Sequence, residues 1–129
     1  MSDAKKKILV IDDDPDVVTF VTTLLCDHGY EVLSAADGKQ GLDKARKEPP
    51  ALICLDITMP EMSGVKCYRE LRGDEALRSV PVVMLTGVTQ EFEKFISSRK
   101  QVPPPDGYVS KPFVPAALLE MIDRLLGRG

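Results

Sequence analysis

Short apolar runs alternate with segments of helical periodicity five times along the chain, and this alternation limits the fold more than any other feature. Apolar runs bounded by turn residues are typical of strands that are buried on both faces. A repeated strand–helix order predicts a parallel sheet with helices on both sides, joined by right-handed crossovers, which is an α/β fold. The predicted strands cover residues 7–11, 31–35, 52–55, 80–85 and 108–110.

Helix-capping signals support the same order. Asp14 followed by Pro15 predicts an N-cap and a first helical position. Asp37 with Gln40 three residues later resembles a capping box at the start of a second helix. Ser63 is a candidate cap for a third helix. The predicted helices cover residues 15–28, 38–47, 64–72, 89–100 and 115–126.

Length and composition exclude several classes of protein. A chain of 129 residues is expected to form one domain, here residues 1–129. The net charge of −3 argues against direct nucleic-acid or membrane-surface binding, which requires a basic face. No apolar run approaches the roughly 20 residues that span a bilayer, and the polar start is no signal peptide. Three cysteines without zinc or redox spacing are expected to be reduced, buried thiols of a cytoplasmic protein: Cys26, Cys54 and Cys67.

Polar residues follow four of the predicted strands at the carboxyl ends, where open α/β sheets bind their ligands. Carboxylates gathered there repel one another and resist ionising together, and a hard cation such as Mg²⁺ relieves this because it prefers oxygen ligands. The residues that leave the first, third, fourth and fifth strands are, in order, Asp12, Asp13 and Asp14, then Asp56, Thr86 and Lys111.

The residue types at this edge suit phosphoryl transfer. Thr86 offers a hydroxyl donor and Lys111 a mobile positive charge. With a metal ion, these groups would surround Asp56 as the nucleophile. Each residue alone has an ordinary interpretation, such as a turn residue or, for Asp14, a helix cap. The joint placement at four strand ends favours the functional interpretation.

Four stretches in this order resemble the receiver domain of two-component response regulators, over essentially the whole chain. They read ILVIDDD at 8–14, LDITMPEMSG at 55–64, PVVMLT at 81–86 and YVSKPF at 108–113. The resemblance implies a single receiver domain with a flavodoxin-like (βα)5 fold, a doubly wound parallel five-stranded sheet of strand order 2-1-3-4-5.

The resemblance also implies roles for individual residues. Asp56 is the expected phosphoacceptor, which takes a phosphoryl group from a phosphohistidine on a sensor histidine kinase or a histidine phosphotransfer protein. Mg²⁺ is the expected cofactor, and Thr86 and Lys111 are expected to hold phosphoryl oxygens. The implied metal ligands are Asp12, Asp13, Asp56 and the backbone carbonyl of Thr58.

A conformational switch is implied as well. Thr86 is expected to move toward the phosphoryl group, and Tyr108 to fill the space that it leaves. The face formed by the fourth helix, fifth strand and fifth helix then changes for a downstream partner. Thr58 and Val88 are expected to tune dephosphorylation; apolar Val88 cannot orient a water molecule, so we expect slow hydrolysis.

Two positions bear on the pattern of dimerising DNA-binding regulators, which carry charges on the last helix and before the last strand. Asp106 fits that pattern loosely, and Met121 stands where a basic residue is typical. We therefore do not predict a dimer of that kind.

Two alternatives belong to other classes. One is a receiver-like protein-binding module that is never phosphorylated, although the full set of site residues argues against it. The other is a nucleotide- or flavin-binding protein or a phosphatase, yet the chain has neither a Gly-x-Gly-x-x-Gly stretch nor a Walker loop. Asp56 also lacks the second aspartate, two residues on, of aspartyl-nucleophile phosphatases. We expect no enzymatic activity other than assistance to the chain's own phosphorylation and dephosphorylation.

Overall fold

The computed structural model describes residues 6–56, 64–86, 106–110 and 114–127. Strands and helices alternate along this part of the chain. The strands are β1 (Lys7–Ile11), β2 (Glu31–Ala35), β3 (Leu52–Asp56), β4 (Val82–Thr86) and β5 (Gly107–Ser110). The helices are α1 (Pro15–Asp27), α2 (Gly38–Lys47), α3 (Gly64–Gly73) and the last helix, Pro115–Leu125. The predicted helix over 89–100 and the predicted Ser63 cap lie outside the described residues.

The five strands form one parallel sheet in the order β2-β1-β3-β4-β5. The predicted flavodoxin-like fold and its strand order are confirmed. β1 and β3 lie side by side at the centre, with Ile11 opposite Leu55. Their carboxyl ends therefore open at the same point of the sheet edge.

Alternate strand residues point into two apolar layers. Leu9, Ile53 and Met84 pack against α2 and α3, together with Tyr68 and Leu71. On the opposite side of the sheet, a second cluster packs against α1 and the last helix; its members include Val10, Cys54, Val83, Leu25 and Ile122. Full burial of each Val, Leu, Ile or Met side chain among them contributes roughly 1.5–3 kcal/mol.

Helix starts follow the predicted capping residues. The Asp14 side chain accepts a hydrogen bond from the backbone N–H of Asp16 at 2.9 Å, and Asp37 accepts one from Gln40 at 2.8 Å. A cap of this kind stabilises a helix by about 1 kcal/mol. Gly29, just beyond α1, has a φ of 94°, a conformation that glycine adopts without a side-chain clash.

Some sequence-based predictions need correction. β4 begins at Val82 rather than at Val80, because Pro81 has no N–H for the ladder and only its carbonyl takes part, accepting from Ile53 at 2.9 Å. Cys26 is exposed on α1, whereas Cys54 and Cys67 are buried as expected. No helix in the described part of the chain has the length and apolar composition that crossing a bilayer demands.

Candidate functional site

Three aspartates converge at the carboxyl edge of the two central strands. Asp12 and Asp13 follow β1, and Asp56 is the last residue of β3. One carboxylate oxygen from each lies within 4.8 Å of the others. Asp12 and Asp56 are each 1% exposed, while Asp13 is open to solvent.

Local hydrogen bonds explain how the edge is held. The Asp12 N–H donates to the Ala35 carbonyl at 3.1 Å, which extends the pairing of β1 with β2 by one residue. The Asp12 side chain accepts from the Asp14 N–H at 2.9 Å, so the turn that starts α1 also orients this carboxylate. Asp56 remains within the sheet, opposite Leu85 of β4.

A bound cation would relieve the repulsion among these three carboxylates. The carboxylate oxygens lie within 4.8 Å of one another, and two bare unit charges that close repel by at least about 3 kcal/mol at an effective dielectric constant of about 20. Oxygen ligands about 2.1 Å from one Mg²⁺ ion lie up to about 4.2 Å apart, and three carboxylate oxygens that all lie within 4.8 Å of one another are compatible with such a shell. The donor set therefore fits a hard divalent cation, and Asp13 leaves one side accessible.

A cleft of about 390 Å³ adjoins the acidic site on the side of β2. Its lining includes Asp12, Asp13 and Lys44 of α2. The Lys44 ammonium donates a hydrogen bond to the carbonyl of Ser34, at the end of β2. The cleft gives solvent and small ions a path to the aspartates.

The remaining predicted site residues divide into two groups. Thr86 ends β4 at the same edge, beside Ser110 of β5. Tyr108 of β5 is half-buried against the α2–α3 layer. Thr58, Val88 and Lys111 lie outside the described residues, so their predicted roles remain predictions.

The buried cysteines are unsuited to nucleophilic chemistry. Burial raises the pKa of both the Cys54 and the Cys67 thiol to about 12, so both stay protonated at neutral pH. This agrees with the expectation of unreactive thiols at these two positions.

Sequence reasoning missed polar clusters at the opposite, amino edge of the sheet. Asp123 of the last helix binds the His28 ring through Nε2 at 2.9 Å and accepts a hydrogen bond from the Tyr30 hydroxyl. Arg72 of α3 binds Asp106 at 2.9 Å. These partners lie 95, 93 and 34 residues apart, and no spacing pattern in the sequence connects them.

A parallel sheet of order β2-β1-β3-β4-β5 with three aspartates at its carboxyl edge defines an α/β domain with a candidate cation site there. The family model of the response regulator receiver domain matches residues 8–123. The chain belongs to this family, the receiver domains of two-component systems.

Individual relatives agree. The chain is 36% identical over 123 residues to the alkaline phosphatase synthesis transcriptional regulatory protein PhoP of Bacillus subtilis, a match that covers 95% of the chain and 49% of PhoP. It thus spans about half the length of curated relatives of this kind.

Solved structures show the same fold. The chemotaxis response regulator CheY4 of Vibrio cholerae is 35% identical with a TM-score of 0.85, over 95% of this chain and 100% of that one. The receiver domain of the sensor histidine kinase PA1611 of Pseudomonas aeruginosa is 29% identical with a TM-score of 0.84, over 96% and 99%. That structure has a magnesium ion coordinated in its active-site cleft.

Proposed function

We propose that the chain is a phosphorylation-activated switch in which Asp56 accepts a phosphoryl group with the help of Mg²⁺. The observation that carries this proposal is the convergence of Asp12, Asp13 and Asp56 within 4.8 Å at the carboxyl edge. Asp12, Asp13 and Asp56, with the carbonyl of Thr58, hold the ion. The magnesium-bound receiver domain of PA1611 supports this assignment by similarity.

The chemistry is a displacement at phosphorus. Bound Mg²⁺ supplies positive charge that lets an anionic carboxylate approach an anionic phosphoryl group. An Asp56 oxygen forms the new O–P bond, the P–N bond of the donor phosphohistidine breaks, and its electron pair goes to the imidazole nitrogen. Thr86 and Lys111 hold the phosphoryl oxygens of the product, an acyl phosphate.

The signal travels toward β5. The phosphoryl group adds about −1.5 to −2 charges at one point. Thr86 turns toward it, and Tyr108 moves into the vacated space. Tyr108 suits this role because it is half-buried and pairs with Met84, two residues before Thr86 on β4. The face formed by residues 89–100, β5 and the last helix then changes for its partner.

We extend the proposal to the partners of the chain. A histidine kinase or a histidine phosphotransfer protein donates the phosphoryl group in the cytoplasm, and a downstream protein or effector domain reads the switched face. The acidic chain, a single receiver domain over residues 1–129, makes no direct contact with nucleic acid or membrane. Its catalysis is limited to its own phosphorylation and dephosphorylation.

Thr58 and Val88 tune dephosphorylation, and hydrolysis is expected to be slow because the apolar Val88 cannot orient a water molecule. Val88→Glu should shorten the lifetime of the phosphorylated form. The lifetime is measured as the loss of the phosphoryl mass with time. An unchanged lifetime would contradict this part of the proposal.

The central test is incubation with acetyl phosphate and Mg²⁺, followed by intact-protein mass spectrometry. The parent chain should gain one phosphoryl mass, and Asp56→Asn should gain none. Asp43→Asn, at an exposed aspartate of α2, is the matched control and should behave like the parent. A chelator should abolish the gain.

Two outcomes would overturn the proposal. A phosphoryl mass that persists in Asp56→Asn would place the acceptor elsewhere. No mass gain with acetyl phosphate or with a competent kinase would favour the unphosphorylated binding module.

A further inference from the structure

Arg72 binds several different segments at the amino edge of the sheet. Its side chain is only 10% exposed. The guanidinium donates to the Tyr68 hydroxyl at 3.1 Å and to the carbonyls of Arg78 and Val80 at 3.0 and 2.7 Å. It also lies 4.9 Å from the centre of the Tyr68 ring, within cation–π range. Arg72 thus ties α3 to the segment that leads into β4.

The fourth partner of Arg72 lies at the start of β5. Its Nη2 donates to Asp106 Oδ2 at 2.9 Å. The same carboxylate oxygen accepts from the Val82 N–H at 2.9 Å, and the Asp106 N–H donates to the Val82 carbonyl at 2.9 Å. Asp106 therefore extends the pairing of β5 with β4 by one residue. Arg72 holds the Asp106 carboxylate in the position where it accepts from the Val82 N–H.

β5 needs such support because it is a short edge strand. It has four residues and a single neighbour, β4. On the side of the last helix, Met121 lies so close that a Cβ on Gly107 would be 2.3 Å from its sulfur. Arg72 acts on the other side, where Tyr108 packs into the same apolar layer as Tyr68.

We propose that Arg72 is a positioning residue for β5, which it holds in register on β4 through Asp106, and that this contact sets how firmly Tyr108 stays packed. The role of Tyr108 as a switch residue rests on the proposed function. The positioning itself is a property of the unphosphorylated chain and is tested there.

The test compares Arg72→Ala with Arg69→Ala, an exposed arginine of the same helix, by amide hydrogen exchange and by ¹⁹F NMR of fluorotyrosine-labelled protein. The chain has three tyrosines, so Tyr→Phe variants assign each signal. In Arg72→Ala, β5 amides should exchange about tenfold faster or more, and the Tyr108 signal should shift or broaden. Arg69→Ala and the amides of β1 and β3 should show parent values.

Conservative variants keep the test decisive if Arg72→Ala does not fold. Asp106→Asn keeps an acceptor for the Val82 N–H but removes the charge that Arg72 binds, and it should accelerate β5 exchange to a smaller extent. Arg72→Lys should restore exchange only in part. Parent-like exchange in β5 and an unmoved Tyr108 signal in folded Arg72→Ala or Asp106→Asn would overturn the proposal.

Phosphorylation provides a separate readout. Arg72→Ala should still gain the phosphoryl mass from acetyl phosphate, while its Tyr108 signal should change less on phosphorylation than that of the parent. If the parent itself gains no mass, the proposed function fails, yet the exchange experiment still decides the role of Arg72.

Discussion

The two edges of the sheet use aspartate in opposite ways. At the amino edge, Asp106 faces Arg72, Asp74 faces Arg46, and Asp123 binds His28 and Tyr30. At the carboxyl edge, aspartates face one another within 4.8 Å. Opposite charges that meet hold helices and strands together, whereas like charges that meet cost stability and prepare a cation site. The same substitution, Asp→Asn, should therefore raise the free energy of unfolding at the carboxyl edge and lower it at the amino edge.

The sharpest test of this contrast is Asp12→Asn in a chelator. Neutralising this 1%-exposed carboxylate removes its repulsion with Asp56, and the amide oxygen can still accept from the Asp14 N–H. The free energy of unfolding, measured by urea denaturation, should rise by up to about 3 kcal/mol. A clear loss of stability would mean that the carboxyl edge is not under electrostatic strain.

Magnesium should remove the difference in unfolding free energy between the parent and Asp12→Asn. At a Mg²⁺ concentration 100 times its dissociation constant, the parent should gain about 2.7 kcal/mol in unfolding free energy. Asp12→Asn should gain much less, because one of the three converging carboxylates is lost. Equal gains in both proteins would show that Mg²⁺ binds elsewhere; the same ionic strength of NaCl is the control.

Asp123→Asn should have the opposite sign. Its carboxylate binds the Tyr30 hydroxyl and the His28 ring, and hydrogen bonds to a charged group are worth more than those to an amide. We expect a loss of about 1–2 kcal/mol in unfolding free energy. Asp27→Asn, at an exposed aspartate of α1, should stay within about 0.5 kcal/mol of the parent. Stabilisation by Asp123→Asn would break the contrast.

The smallest effect is expected at the exposed pair of Arg46 and Asp74. The hydrogen bond from Arg46, together with backbone N–H donors, lowers the pKa of Asp74 below its ordinary value of 3.8. A carboxyl group with a lowered pKa stabilises the fold above its unfolded-state pKa, and this contribution is lost as the pH falls through the folded-state pKa. Stability should therefore fall more steeply below about pH 4 in the parent than in Arg46→Gln. NMR titration of Asp74 should show a higher pKa in that variant.

The sequence predicted what depends on short-range patterns and on parallel topology. The caps at Asp14 and Asp37 followed from local signals, and the strand order followed from the family resemblance. The meeting of Asp12, Asp13 and Asp56 followed because carboxyl ends of neighbouring parallel strands share one edge.

What could not be predicted depends on pairs that are distant in sequence. The sequence relates Asp106 only to a loose dimerisation pattern, whereas its carboxylate binds Arg72 within the chain. The apolar run alone predicts too early a start for β4, because apolar character does not show where the ladder hydrogen bonds begin. Pro81 has no N–H to donate, and β4 begins after it. The exposure of Cys26 was missed because its apolar neighbours on α1 face the core while its own position faces solvent.

That exposed thiol makes the natural sequence convenient for surface chemistry. Cys54 and Cys67 are buried, and their pKa values of about 12 keep them protonated, so a maleimide dye should attach first at Cys26. Cys26 lies near the end of α1, away from the aspartates. A chain tethered to a sensor chip through this sulfur would present its acidic edge to the solution, ready for kinetic measurements without any engineered residue.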